Sequence, residues 1–201
     1  MRVVLASGNA GKLREFAPLL EPAGFELTSQ GALGIASPPE TGTTFLANAL
    51  LKARHAAAGA ALAAIADDSG IEVDALNGAP GVYSARYAGE HASDEENLMK
   101  LLAALRDVPQ ARRSARYRCV IAFVSHAADP APAIAEGVWE GRIAQAPCGA
   151  GGFGYDPIFV PEGFACTAAQ LDADLKNALS HRGKALQNLL RALAPQARHT
   201  C

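Results

Sequence analysis

Several things are missing from this 201-residue chain, and each absence removes a class of function. No apolar run approaches the length a membrane-spanning helix needs. There is no basic surplus: 18 Lys and Arg face 20 Asp and Glu, a formal net charge of -2. Bulk nucleic-acid binding is therefore not expected, whereas a small anionic ligand needs only a few local cations. The four cysteines, Cys119, Cys148, Cys166 and Cys201, form no CxxC pair. That spacing argues against a zinc ribbon and a disulfide-stapled secreted scaffold, and reduced thiols are expected. The five histidines include no HExxH. One Arg followed by a short strand-like run does not make a signal peptide, so a cytoplasmic location is expected. No repeat or linker divides the chain, which reads as a single domain over residues 1–201.

What is present alternates between helical and extended patterns. RVVLA reads as a buried strand leading into a helix on which Leu13, Phe16, Ala17 and Leu20 recur, stopped by Pro22 and Gly24. A short strand at FELTS precedes the loop GALGIASPPETG. Thr44 caps a helix whose buried face is expected to carry Leu46, Leu50 and Ala53. ALAAIA reads as a buried strand ending at DDSG, where Gly70 would turn the backbone. SDEE is a capping box at Ser93 and Glu96. ARYRCVIAFVS and AIAEGVWEGRI suggest two longer strands paired antiparallel. Thr167 and Gln170 suggest a second capping box, and ALSHRGKALQNLLRAL a final helix. The expected fold class is mixed α/β.

Four stretches could carry chemistry. SGNAGK joins a strand to a helix and offers backbone N–H groups, the positive helix end and a lysine to an anion. It is not a P-loop: only two residues separate Gly8 from Gly11, and Leu13 follows Lys12 where Ser or Thr is required. In IADDSG, extended geometry points Asp67 and Asp68 to opposite faces, so they should not share a task. An Asp facing a phosphate site suits Mg2+, which takes one or two carboxylates plus phosphate oxygens and water. Glu40 is a candidate second carboxylate. Asn48 and Lys52, four apart, share a helix face, so Lys52 could be a second phosphate cation. In GGFGYDPIF, an aromatic in a glycine-rich loop can stack on a base. Lys176, His181 and Arg182 cluster as donors around a helix start.

Taken in order, SGNAGK, the helix with Asn48 and Lys52, IADDSGIEVDAL, GAPGVYSARY, GGFGYDPIF and SHRGKAL resemble the inosine triphosphate pyrophosphatase family over about residues 2–193. The resemblance implies an elongated mixed β-sheet flanked by helices, two lobes with a deep cleft between them, and a homodimer. It implies hydrolysis of ITP, dITP and XTP to monophosphate and pyrophosphate with Mg2+. By position, Ser7, Gly8, Asn9, Ala10, Gly11 and Lys12 match the phosphate loop, with Ser7 where many members have Thr. Asp68 matches the proton acceptor, Glu40 and Asp68 the metal carboxylates, and Ser69 a substrate contact. Phe153, Gly154, Tyr155, Asp156, Lys176, His181 and Arg182 match the base-recognition set. A donor-lined pocket would accept the C6 carbonyl of hypoxanthine or xanthine and oppose the adenine amino group at about 1–3 kcal/mol per unsatisfied group. Whether Asp68 acts as base, metal ligand or both is open at this level. The alternative functions are a pyrophosphatase of other or broader base choice and a non-catalytic NTP-binding sensor.

Overall fold

The computed structural model describes residues 1–7 and 10–194, with Ala10, Gly11 and Arg14 described in backbone only. Its centre is a six-stranded mixed sheet in the order β2-β1-β3-β4-β5-β6. Strand β1 (Arg2–Leu5) lies parallel to both β2 (Glu26–Ser29) and β3 (Ala63–Val73). The β4 (Ser114–Val124), β5 (Ala133–Ile143) and β6 (Phe159–Pro161) strands continue antiparallel. Val3, Val4 and Leu5 are all fully buried, as expected for a strand covered on both faces.

Helices α1 (Ala10–Leu20) and α5 (His181–Leu193) cover one face, where Phe16, Leu20, Leu186 and Leu189 meet Ile65, Cys119 and Ile121. Helix α2 (Phe45–Ala60) covers the other, packing alanines against Ala64, Ala66 and Val120. A third cluster lies at the far ends of the long strands. There Ile71, Val73, Tyr117, Trp139 and Ile143 pack with Leu98, Leu101 and Leu105 around α3 (Asp94–Ala104). The 11-residue strands β3, β4 and β5, about 36 Å long at roughly 3.3 Å per residue, pass through both regions.

Three sequence expectations change. First, β3 does not end before DDSG. It runs on to Val73, with Asp67 opposite Ile121, Asp68 opposite Val120 and Gly70 opposite Arg118. The partner strand keeps the backbone extended, and the acids are tolerated inside it because cations meet them on both faces. Gly70 serves packing instead of turning: a Cβ there would collide with the Gly81 carbonyl and the Ser84 hydroxyl. Second, Leu46 is 38 % exposed. The buried stripe of α2 includes Asn48 and Lys52, so an apolar count alone set its phase wrongly. Third, the final helix is broken. Ser180 ends α4 (Ala173–Leu179) and caps α5, its hydroxyl accepting from Gly183 N at 3.1 Å. Both predicted capping boxes form, the second on a short 3-10 turn over Ala168–Gln170.

Candidate active site

A cleft of about 950 Å³, counting its open mouth, lies where β3 passes from one packing region to the other. Its wall takes Lys12, Glu40 and Asp68 from the first region and Tyr117, Phe153 and Lys176 from the second, with Ser69, His181 and Arg182 between.

The alternation of β3 separates the two acids. Asp68 faces α2, where Thr44 caps the helix through Ala47 N at 3.1 Å and i,i+4 spacing sets Asn48 beside Lys52. Asn48 Nδ2 donates to Asp68 Oδ2 at 3.0 Å, and Lys52 Nζ lies 3.0 Å from Asp68 Oδ1. Lys52 also meets Glu40 Oε1 at 2.6 Å, so a single ammonium joins the two carboxylates. Asn48 Oδ1 accepts from Gly42 N at 2.8 Å, tying the loop after Glu40 to the same helix. Burial pushes Asp68 above the usual carboxylate range; Lys52 pulls it down, Glu40 pushes it up, and the net direction is upward. Burial also pushes Glu40 upward, but Lys52, with Lys12 and Arg86 adding to it, holds its carboxyl below the ordinary value.

Asp67 faces α1 and α5. Its Oδ1 is 2.8 Å from Lys12 Nζ, and its Oδ2 accepts from Arg182 Nε at 3.2 Å. Arg182 also bonds Glu15 and donates to Ser69 Oγ at 3.0 Å. Burial alone would raise the Asp67 pKa, yet Lys12 and Arg182 dominate and hold it well below the carboxylate range. One glycine allows α5 to come this close: at Gly137 of β5 a Cβ would overlap the His181 carbonyl and crowd the Ala185 amide.

At the other end of the cleft, Asp156 Oδ2 accepts from Phe153 N at 2.8 Å and pairs with Lys176 Nζ at 2.7 Å. The Phe153 ring, 37 % exposed, has Lys176 Nζ 5.1 Å and the Arg182 guanidinium 5.7 Å from its centroid. Tyr155 Oη donates to Ser84 O, and Gly154 N donates to Asp94 Oδ2. The His181 ring stacks on Tyr117, centroids 4.6 Å apart and 7° from parallel. Burial, then the Arg182 charge, push its pKa well below 6.5, so the imidazole is neutral.

The structure thus brings Lys12, Glu40, Asp68, Ser69, Phe153, Gly154, Tyr155, Asp156, Lys176, His181 and Arg182 to one cleft. Lys52 sits behind the carboxylates, and Ser7 lies just past β1 with its amide bonded to Leu5 O. Gly8 and Asn9 lie outside the described residues, and Ala10 and Gly11 are described in backbone only. The wall is not made of donors alone: Glu15, Asp94 and Asp156 also line it. Glu15, Asp94 and Tyr117 in the wall, and Arg86 behind Glu40, lie beyond the residues expected from sequence. Only Glu15 carried a local sign, three residues after Lys12 on one helix face.

Glu40 and Asp68 fit a divalent cation. Both face one cleft, with Lys52 between them and Arg86 on the outer oxygen of Glu40, and a hard ion could complete its shell with phosphate oxygens and water. Among the described residues there is no group of three or more His, Cys, Asp or Glu side chains that would form an all-protein cage. None of the described helices is long and apolar enough to cross a membrane.

Comparison with known proteins decides the family. The Ham1 family model matches residues 3–192. The chain belongs to the Ham1 family. Among its relatives is the dITP/XTP pyrophosphatase of Vibrio cholerae serotype O1, 57 % identical over 201 residues, covering 100 % of this chain and 99 % of that protein. The dITP/XTP pyrophosphatase of Escherichia coli strain K12 is 55 % identical over 192 residues, 96 % and 98 % of the two chains. A HAM1 protein from Coxiella burnetii superposes with a TM-score of 0.90 at 49 % identity, covering 96 % of this chain and 98 % of that one. The Ham1 match spans the residues of both walls of the cleft.

Proposed function

We propose that this Ham1-family chain hydrolyses the deaminated purine nucleotides ITP, dITP and XTP to the monophosphate and pyrophosphate. The observation that carries the reading is one cleft with a carboxylate pair and Lys12 at one end and a cation-flanked aromatic face at the other. The names of its curated relatives agree. A stacked base on Phe153 would direct the triphosphate toward Asp68 and Lys12. Asp68, fixed through both oxygens, orients the attacking water and takes its proton. Lys12 exchanges Asp67 for a phosphate oxygen and neutralises charge on the departing pyrophosphate. Ser69 and the positive end of α1 add donors along the chain of phosphates.

Glu40 and Asp68 would hold Mg2+, which when bound lowers the pKa of water and screens phosphate charge. At the base end, Lys176 and neutral His181 offer N–H donors to the C6 carbonyl. Arg182 stiffens that end, because its nitrogens are bonded to Asp67, Glu15 and Ser69. A cytoplasmic homodimer belongs to the same proposal, and light scattering at the mass of one chain would remove the dimer.

The test is product analysis with Mg2+ and ITP, dITP, XTP, GTP or ATP supplied separately. Pyrophosphate release from the first three, with little from GTP or ATP, is the expected result. Orthophosphate release would overturn the bond assignment, and equal use of all five would overturn the base pocket. Asp68→Asn should lose about 100–10,000-fold in turnover while still binding ITP, the range for a positioned proton acceptor. Binding without turnover in the unaltered protein would make the chain a sensor.

A further inference from the structure

The loop that carries Glu40 has no regular structure. Helix and strand are both absent from residues 35–44, and Pro38 and Pro39 just before Glu40 bring no backbone N–H to anchor it. An acid on such a segment would ordinarily sample many positions. Here Arg86 holds it by two atoms at once. Nη1 donates to Glu40 Oε2 and Nη2 to the Glu40 backbone carbonyl, each at 3.3 Å. Lys52 reaches Glu40 only through the side chain.

Arg86 is itself fixed. It ends the 3-10 turn Gly81–Arg86, and its guanidinium lies 5.3 Å from the Tyr83 ring centroid and 3.8 Å from Glu90. The turn is keyed to β3 by Ser84, whose hydroxyl accepts from Ile71 N at 2.9 Å and donates to Gly81 O at 2.6 Å. Tyr155, in the loop beneath the base end of the cleft, donates to Ser84 O at 2.7 Å. A continuous set of bonds therefore joins that loop to Glu40 through Ser84 and Arg86. Arg86 is not part of the cleft wall and meets it through Glu40.

We infer that Arg86 is a positioning residue: its guanidinium clamps the backbone and carboxylate of Glu40 so that this acid stays in the cleft beside Asp68. The inference rests on the reading of Glu40 as a working carboxylate given above. The clamp uses the planar fork of arginine, and a lysine ammonium, a compact charge on a flexible stem without that fork, does not reproduce its geometry.

The experiment compares Arg86→Lys, Arg86→Ala and Glu40→Gln with the unaltered protein. It measures kcat and KM for ITP, the Mg2+ concentration for half-maximal rate, and amide hydrogen exchange over residues 40–44 without nucleotide or metal. Arg86→Lys and Arg86→Ala should both exchange faster over 40–44 and lose about 10–100-fold in kcat or Mg2+ affinity, as when a group orienting a ligand is removed. The KM for ITP should change little, because the base end is untouched. Arg86→Lys keeps the charge and so remains informative should Arg86→Ala fold poorly by circular dichroism.

Unchanged exchange and unchanged kcat in either Arg86 variant would overturn the inference. Loss of turnover in Glu40→Gln with full turnover in Arg86→Ala would overturn it while leaving the site reading intact. Full turnover in Glu40→Gln would instead remove Glu40 from the site, and the catalytic half of the inference with it.

Discussion

Asp67 and Asp68 are adjacent, identical in side chain and both buried, yet their surroundings push them in opposite directions. Two cations bond Asp67 directly, and its carboxyl stays ionised far below the normal range. Asp68 shares its one lysine with Glu40, and burial outweighs that cation, making Asp68 the more basic of the pair. A proton acceptor works best with a raised affinity for protons, so the chemistry belongs to Asp68 and the scaffolding to Asp67. His181 shows the reverse effect for a base. Burial lowers its pKa most, Arg182, Lys176 and Lys12 also oppose its charging, and Asp67 favours it too weakly to prevail. Since the folded pKa lies below the unfolded value near 6.5, the unfolded chain binds more protons in that window. Stability should therefore hold above pH 6.5 and fall as pH drops below it, with a slope of at most about 1.4 kcal/mol per unit from this residue. Urea melts of the unaltered protein and His181→Asn across pH 5–8 check this: the substitution should flatten the dependence.

At the scale of elements, the site depends on how tightly α5 seats on β5. Gly137 leaves room for the His181 carbonyl, and Ser180 starts the helix at that spot. Gly137→Ala should destabilise the fold by about 1–3 kcal/mol, the range for overpacking, and raise KM for ITP by displacing His181 and Arg182. Thermal melting and steady-state kinetics measure the two effects separately. Much of this element level was legible in the sequence because its signals are local. The capping boxes, the Asn48–Lys52 spacing and the opposed faces of Asp67 and Asp68 follow from a few consecutive residues. The strand through DDSG was not legible, since an antiparallel neighbour about fifty residues away keeps it extended. Arg86, Asp94 and Tyr117 escaped notice for the same reason: each meets its partner only after distant segments pack. The break at Ser180 was hidden because the segments on both sides of it are helical.

For the whole molecule, the decisive feature is that β3, β4 and β5 serve both packing regions. Ile65, Cys119 and Ala135 belong to the cluster under α5, while Ile71, Tyr117 and Trp139, farther along the same strands, belong to the one beside α3. The two walls of the cleft share a hydrogen-bonded backbone instead of meeting at a flexible joint. Calorimetry should accordingly give one unfolding transition with equal calorimetric and van't Hoff enthalpies. Two resolved transitions would mean that the regions melt separately.

The same continuity constrains how such a protein can diversify. A duplication or recombination event cannot exchange the base-recognising wall for another as a module, because the exchanged segment would bring only part of each shared strand. Viable crossovers between relatives should keep β3, β4 and β5 from one parent, leaving new substrate preferences to arise by point changes in the 149–156 loop and around α4.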